Sequence, residues 1–267
     1  MLRPIPIFVY HSVSRDPAEW IAPFTVTPEQ FASHLGAIAD AGYTTLTVSS
    51  FVDALRAGML PERAALVTFD DGFADTRDTA LPQLVERGMT CTVYVTTAFM
   101  QSAKGPQGDA MLDVEAIREL ASTGVEIGGH SHTHPQLDTV TDARARSEIF
   151  ICKALLEEAL TTPVRSFAYP HGYSSVRVRL AVRQAGFDSA CAVGNAFSHE
   201  MDDVLRLSRL MIRNTTSTAH VGAWVEGLGA RLAPAREPAR TRAWRIYRRF
   251  GRISGLSPES VLPKIRI

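Results

Sequence analysis

Residues 68–73 read TFDDGF, so Asp70 and Asp71 stand side by side directly after the apolar run AALV. Adjacent carboxylates repel, and partial burial worsens this, because desolvation and a like charge both disfavour the ionised form. The pair is relieved if a cation holds one carboxylate or if one carries a proton. A second reactive group lies in GGHSHTHP (128–135), where His130 and His134 are four residues apart. One helical turn or a tight loop would aim both imidazoles at one point. Two histidines and one carboxylate form a three-ligand set for a catalytic zinc-type ion, with a position left for water or substrate. One aspartate can complete that set, leaving the other free to take a proton from the activated water. Each fragment alone has a plainer reading: Asp-Asp as a turn or helix cap, the histidines as an adventitious metal loop. His132 alternates with the pair and points away if the backbone is extended.

These side chains need a scaffold, and alternating strand and helix patterns provide it. IPIFVYHSV opens as a strand. TPEQFASHLGAIADAG predicts a helix with Thr27 as N-cap, Pro28 at the first helical position, Gln30 completing a capping box and Gly42 as the stop. YTTLTV reads as strand, SSFVDALRAG as helix, and AALVTF as a strand that ends at the two aspartates. A helix then runs to Gly88, followed by the strand TCTVYVTT and a surface loop over 98–111 containing Gly105, Pro106 and Gly108. DVEAIRELASTG is helix, VEIGGH strand, DARARSEIFICKALLEEAL a long helix, VRSFAYP strand, SSVRVRLAVRQAG helix and FDSACAV strand. VLRLSRLMI is expected to be the last strand. The alternation predicts an α/β fold with a mainly parallel sheet, open or closed into a barrel. Chemistry in such folds gathers at the carboxyl ends of the strands. His11, Asp70–Asp71, HSHTH and AYPHG all fall at such ends.

The 267-residue chain is 45% hydrophobic and 21% charged, an ordinary globular balance with room for one large α/β domain. No apolar run approaches the ~18 residues of a membrane span. The opening MLRPIPIFVYHS is short, broken by Pro6 and leads to a histidine, unlike a secretory signal. Three cysteines without a C-x-x-C point to a reducing, cytoplasmic compartment. The net charge of zero is unevenly spread. Residues 231–267 hold ten Arg or Lys against two Glu, a net +8, so residues 1–230 carry −8. Within the tail, ARTRAWRIYRRFGRISGL (239–256) combines six arginines with Trp244, Ile246, Tyr247, Phe250 and Ile253. It is suited to a basic amphipathic helix on the inner face of an anionic membrane, or to a terminal helix that is solvated or packed on the barrel. No nucleic-acid-binding module accompanies the charge. The expected division is a catalytic domain over 1–230 and a basic tail over 231–267.

TFDDGF followed by HSHTHP resembles the first two motifs of the polysaccharide deacetylases, the NodB-homology domain of carbohydrate esterase family 4. FAYPHG is similar to their third motif, and the likeness runs from about Ile5 to Met211. The resemblance implies a distorted (β/α) barrel of seven strands. It implies metal-dependent removal of N-acetyl or similar small acyl groups from amino sugars in a glycan or lipid-linked saccharide. By motif position, Asp70 would be the general base and Asp71, His130 and His134 the metal ligands. Zinc is the implied ion, and cobalt or nickel suits the same donors. The backbone N–H of His171 would help hold the oxyanion, and Tyr169 or Phe73 could stack on a sugar ring.

Two departures stand out. Many members carry an arginine just after the third motif's phenylalanine, where this chain has Ala168. Arg165, Arg209 and Arg213 are candidate substitutes, with Arg209 preferred. Many members also have an L-x-H motif whose histidine protonates the leaving amine, and none is present here. His11 is the candidate replacement, because FVYHSV resembles the branch that includes poly-N-acetylglucosamine deacetylases, in which the fold is circularly permuted. An imidazole with a pKa near ~6.5 suits that proton transfer. The missing arginine leaves a second reading open, a non-catalytic carbohydrate-binding relic of the same fold. A haloacid-dehalogenase-type phosphotransfer site would need Asp-x-Asp, and Gly72 stands at that position.

Overall fold

The computed structural model describes residues 2–234, 241 and 243–248. Seven strands curl into one parallel sheet: β1 (Ile7–Tyr10), β2 (Ala64–Phe69), β3 (Thr92–Val95), β4 (Glu126–Gly129), β5 (Ser166–Ala168), β6 (Ser189–Cys191) and β7 (Leu210–Met211). Their order is β7-β1-β2-β3-β4-β5-β6, and every pairing along it is parallel. A short strand, Thr44–Thr45, pairs beside the start of β2. The chain is thus an α/β protein with the curled, barrel-like sheet that the sequence implied.

The expected final strand over 204–212 is mostly something else. Val204–Arg206 forms a 3-10 turn, and only Leu210–Met211 pairs as strand. The irregular backbone between them closes the gap between β6 and β7. Leu207 N–H donates to Ala190 (2.9 Å), Ala192 N–H to Leu207 (2.8 Å) and Asn195 N–H to Arg209 (3.0 Å). This seam places Arg209, fully buried, at the barrel wall.

Strand parity divides the core in two. Ile7, Leu66, Tyr94, Ala168, Cys191 and Leu207 cluster with Val48, Phe51 and Val52, while Phe8, Val67, Phe69, Val93, Val95, Ile127 and Phe167 cluster with residues from the surrounding helices. Along β2 the period of two sends Leu66 and Thr68 to one side and Val67 and Phe69 to the other. Asp70 therefore continues the inner row. Gly128 is required opposite Tyr94, since a Cβ there would sit 2.5 Å from the tyrosine ring.

Within residues 2–234, seven α-helices flank the sheet: α1 (Pro28–Asp40), α2 (Val48–Ala57), α3 (Leu81–Glu86), α4 (Val114–Ser122), α5 (Asp142–Leu160), α6 (Val176–Gln184) and α7 (Thr218–Val225). Thr27, Thr47, Asp113, Thr141, Ser175 and Ser217 each cap one of them through a side-chain oxygen, satisfying an amide that has no partner inside the helix. The capping box expected at α1 is only half made. Thr27 accepts from Gln30 N–H, but the Gln30 side chain donates to the carbonyls of Asn214 and Thr216 instead of returning to Thr27. The helix expected before Gly88 opens as a wide π turn over Thr76–Ala80. Pro82 lacks the N–H that an α-turn would direct at Asp78.

In the tail, residues 243–248 are helical, with Trp244 and Tyr247 stacked at 5.4 Å. The remainder of the amphipathic segment expected over 239–256 lies outside the described residues. No described helix is long and apolar enough to cross a membrane.

Candidate metal centre and active site

Asp70 and Asp71 leave β2 in opposite senses. Asp70 is 4% exposed and stays on the inner row. Asp71 turns into the left-handed region at φ 72°, which points its carboxylate at the histidine loop. Left-handed non-glycine residues are costly, about 1–3 kcal/mol each, and persist where the surroundings over-determine them. Four of them meet here: Asp71, Ser131 (φ 64°), His134 (φ 59°) and His171 (φ 59°). The HSHTH segment is consequently a tight loop, not a helical turn.

That loop brings the histidines onto Asp71. Asp71 Oδ1 lies 3.3 Å from His130 Nε2 and 3.2 Å from His134 Nε2. One donor atom from each of the three residues falls within 4.8 Å of the others. His130 Nδ1 donates to the Ala168 carbonyl (2.9 Å), which fixes the tautomer with the Nε2 lone pair free for a cation. The loop itself is held by a residue the sequence reading passed over. Glu148 of α5, 6% exposed, accepts from Thr133 N–H (2.7 Å) and Thr133 Oγ1–H (2.6 Å). Its signal was present: a carboxylate on the stripe Ala145, Ile149, Cys152, Leu156 that α5 buries. His132 turns away to Thr97 Oγ1 (3.0 Å). These donors fit a divalent ion of the zinc, cobalt or nickel type, because two borderline imidazoles and one hard carboxylate converge on one point.

Among the three candidate arginines, geometry favours one. Arg209 forks Asp70, with Nη1–Oδ1 at 2.6 Å and Nη2–Oδ2 at 2.7 Å, and also reaches Thr68 Oγ1 (3.1 Å) and the Ala192 carbonyl (3.3 Å). Arg165 is engaged with Asp53 and Asp188 at the surface, and Arg213 lies over the Phe24 ring at 4.8 Å. Burial alone would raise the Asp70 carboxyl, but the charges of Arg209 and His130 and the Arg209 hydrogen bonds hold it below the usual carboxylate range. Asp71 is likewise pushed up by burial, yet His134 and His130 bring it well below that range. Both aspartates are therefore ionised at neutral pH.

His11 sits at the end of β1 with Nδ1 buried and unpartnered among the described residues, its ring 5.3 Å from Phe24. Burial lowers its pKa on balance, although Asp71 and Asp70 pull the other way, so the ring holds its proton less readily than the unperturbed imidazole expected from the sequence. His171 stands at the mouth, ring to ring with His134 at 4.7 Å. Its pKa falls to about 4 through desolvation against the protein and the neighbouring imidazoles, so the ring is neutral. Tyr169 corrects the sequence expectation. It is fully buried, its hydroxyl donates to the Leu205 carbonyl (2.8 Å), and its ring packs edge-on to Phe167. Strand parity turns it into the outer core, so it cannot stack on a sugar. Phe73 is also buried, at 4% exposed.

The model of the polysaccharide deacetylase family matches residues 57–190, half of the chain. The chain is 25% identical over 225 residues to the putative polysaccharide deacetylase YxkH of Bacillus subtilis, covering 84% of this chain and 77% of that one. In structure it is similar to the Streptococcus pyogenes deacetylase PplD, solved with acetate, at a TM-score of 0.75 and 23% identity over 83% of this chain and 97% of that one. It is also similar to IcaB from Ammonifex degensii, at a TM-score of 0.72 and 22% identity over 84% and 97% of the two chains. These two likenesses concern the fold. The family match spans both the aspartate pair and the histidine loop, and with it the chain belongs to the polysaccharide deacetylase family.

Proposed function

We propose that this chain is a metal-dependent hydrolase that removes N-acetyl or similar small acyl groups from the amino sugars of a glycan or lipid-linked saccharide. The observation that carries the reading is the division of labour within one aspartate pair. Asp71 is aimed at His130 and His134, while its neighbour Asp70 is turned inward and held by Arg209. A divalent ion on Asp71, His130 and His134 would polarise the amide carbonyl and acidify a water molecule.

The remaining work falls to the chain's own groups. Asp70, ionised and fixed by the guanidinium fork, accepts the proton of the attacking water. Arg209 keeps that carboxylate oriented and makes it a weak base that releases the proton again. His11, just past the end of the neighbouring strand β1, supplies a proton to the leaving amine. The left-handed turn at His171 presents a backbone N–H toward the acyl oxygen as it gains charge. His171 itself, neutral at the mouth, shapes the entrance.

The alternative of a carbohydrate-binding relic rested on Ala168. Arg209 provides a guanidinium to the same carboxylate from the seam between β6 and β7, and this removes its motive. We place the protein in a reducing compartment. Cys91, Cys152 and Cys191 are all unpaired and buried, and burial raises their thiols to about 12, 12 and 11, which keeps them inert. Peripheral membrane contact through the tail would have to use residues beyond Arg245 and Arg248, because those two are turned onto the protein. The test of the function is acetate release from N-acetylglucosamine oligomers and from lipid-linked N-acetyl sugars by purified, metal-loaded protein. Release should cease on chelation and in Asp70→Asn. Metal-loaded protein that frees acetate from neither substrate would refute the assignment.

A further inference from the structure

The tail contributes a buried ion pair that the family motifs do not include. Arg248, 4% exposed, meets Asp138, 1% exposed. Arg248 Nη2 donates to Asp138 Oδ2 at 2.7 Å, and its Nη1 reaches Asp138 Oδ1 (3.3 Å) and Gln136 Oε1 (3.0 Å). The guanidinium lies 3.8 Å above the centre of the Tyr173 ring. One turn earlier, Arg245 donates to Asp138 Oδ2 (3.2 Å) and to the Ser174 carbonyl (2.8 Å).

These described partners lie on two segments of the catalytic body. Gln136 and Asp138 lie on the chain as it leaves His134. Tyr173 and Ser174 lie on the chain as it leaves His171. The rings of His134 and His171 are themselves 4.7 Å apart, and both residues are left-handed. Such a backbone is uncommon for any residue with a Cβ, although histidine tolerates it better than most, and it persists where the surroundings over-determine it. A tail arginine that grips both segments just downstream supplies such a constraint. Arg177 of α6 adds to it by donating to the carbonyls of Leu137 (3.2 Å) and Val140 (2.7 Å). The ion pair also makes the brace stiff. Separating two desolvated charges leaves both uncompensated, and stacking on Tyr173 adds a cation–π contact away from water.

We propose that Arg248 is a positioning residue for the metal centre. Through Asp138, Gln136 and Tyr173 it fastens the loop of His134 to the loop of His171, and so fixes the aim of His134 Nε2 and of the His171 backbone. This rests on the reading of Asp71, His130 and His134 as metal ligands. It gives the basic tail a role inside the catalytic domain.

The test is titration of full-length apo-protein with Co2+, following affinity by calorimetry and ligand geometry by the visible absorption of the bound ion. Arg248→Met should bind Co2+ about tenfold more weakly, the lower end of what outer supports of a metal site contribute. It should also show an altered cobalt spectrum and a lower kcat at nearly constant KM. Arg248→Lys keeps a charge beside Asp138 but loses the fork and the stacking, so it should fall between the two; Asp138→Asn should resemble Arg248→Met. Arg118→Met, which removes the tie from Arg118 Nε to the Ala159 carbonyl between α4 and α5, controls for a general loss of stability and should keep wild-type affinity. If Arg248→Met does not fold, the comparison of Arg248→Lys with Arg118→Met decides. Wild-type Co2+ affinity and spectrum in the Arg248 variants would overturn the proposal, as would an equal loss in Arg118→Met. Wild-type protein that binds no Co2+ would overturn the metal reading and this proposal together.

Discussion

Two buried arginine–aspartate forks stand out among the described residues, and they differ in what the carboxylate has left to give. Asp70 meets one guanidinium, that of Arg209, and its Oδ2 remains 3.8 Å from His130 Nε2 at the heart of the site. Asp138 receives two, from Arg248 and Arg245, and the Arg248 guanidinium it holds is itself engaged by Gln136 and the Tyr173 ring. The same ion pair thus serves two ends. With one guanidinium, a carboxylate keeps lone pairs free for a proton. With two it is saturated and serves as an anchor. Burial alone distinguishes neither.

The contrast between the two carboxylates is most exposed by removing that of Asp70. Asp70→Asn should lower acetate release by about 10²–10⁴-fold while leaving Co2+ binding intact; loss of metal in that variant would show that Asp70 is a ligand. Removing the other half of the inner fork should act on stability as well. Arg209→Met leaves Asp70 buried and unpaired, at a cost of about 3–5 kcal/mol in denaturant unfolding. The double variant with Asp70→Asn should recover much of that loss, because no charge is then stranded. If the double variant is no better than Arg209→Met alone, the fork is not what the arginine stabilises.

A third measurement adds a carboxylate with no guanidinium at all. Asp75 accepts from Ser12 Oγ–H at 2.5 Å, and burial raises its pKa to about 6. Its folded value lies above the unfolded one, so the native state holds the extra proton between about pH 4 and 6. Stability from this group therefore falls as pH rises through that window, by on the order of 2–3 kcal/mol. Asp75→Asn should flatten this part of the stability profile, as read from urea midpoints. A wild-type slope retained in the variant would assign the effect elsewhere. The smallest expected effect is at the mouth. His171→Ala removes an exposed ring but keeps the backbone N–H, so kcat should change by less than about threefold while KM shifts. His171→Pro, which lacks that N–H and cannot adopt the left-handed φ of 59°, should cost at least about tenfold in kcat by removing both the donor and the turn that aims it.

Much of this was legible in the chain because it obeys short-range rules. The alternation Leu66, Thr68, Asp70 foretells an inward aspartate, and a polar cluster at each strand end foretells where the chemistry lies. The cap at Thr27 follows from residue type and spacing. What stayed hidden depends on long-range meetings. Arg209 and Asp70 are 139 residues apart, and Arg248 and Asp138 are 110 apart. Charge in the tail was visible, but nothing local says that two of its arginines turn inward. Tyr169 was misplaced for a related reason: an aromatic at a strand end can face the site or the core, and the parity of the short strand β5 sends it to the core. Gln30 fits a capping box in sequence, yet the approach of the 214–216 segment offers its amide better acceptors.

The way the barrel shuts has a consequence for its motions. Between β6 and β7 the wall is stitched by three backbone hydrogen bonds through Leu207 and Arg209 rather than by a ladder. A joint of that kind is where a closed sheet first breathes, and here the hinge carries the guanidinium that steadies Asp70. Each opening would unlatch the base from its counter-charge without disturbing Asp71, His130 or His134. Amide exchange at Ala192, Asn195 and Leu207 would then report how often Arg209 releases Asp70.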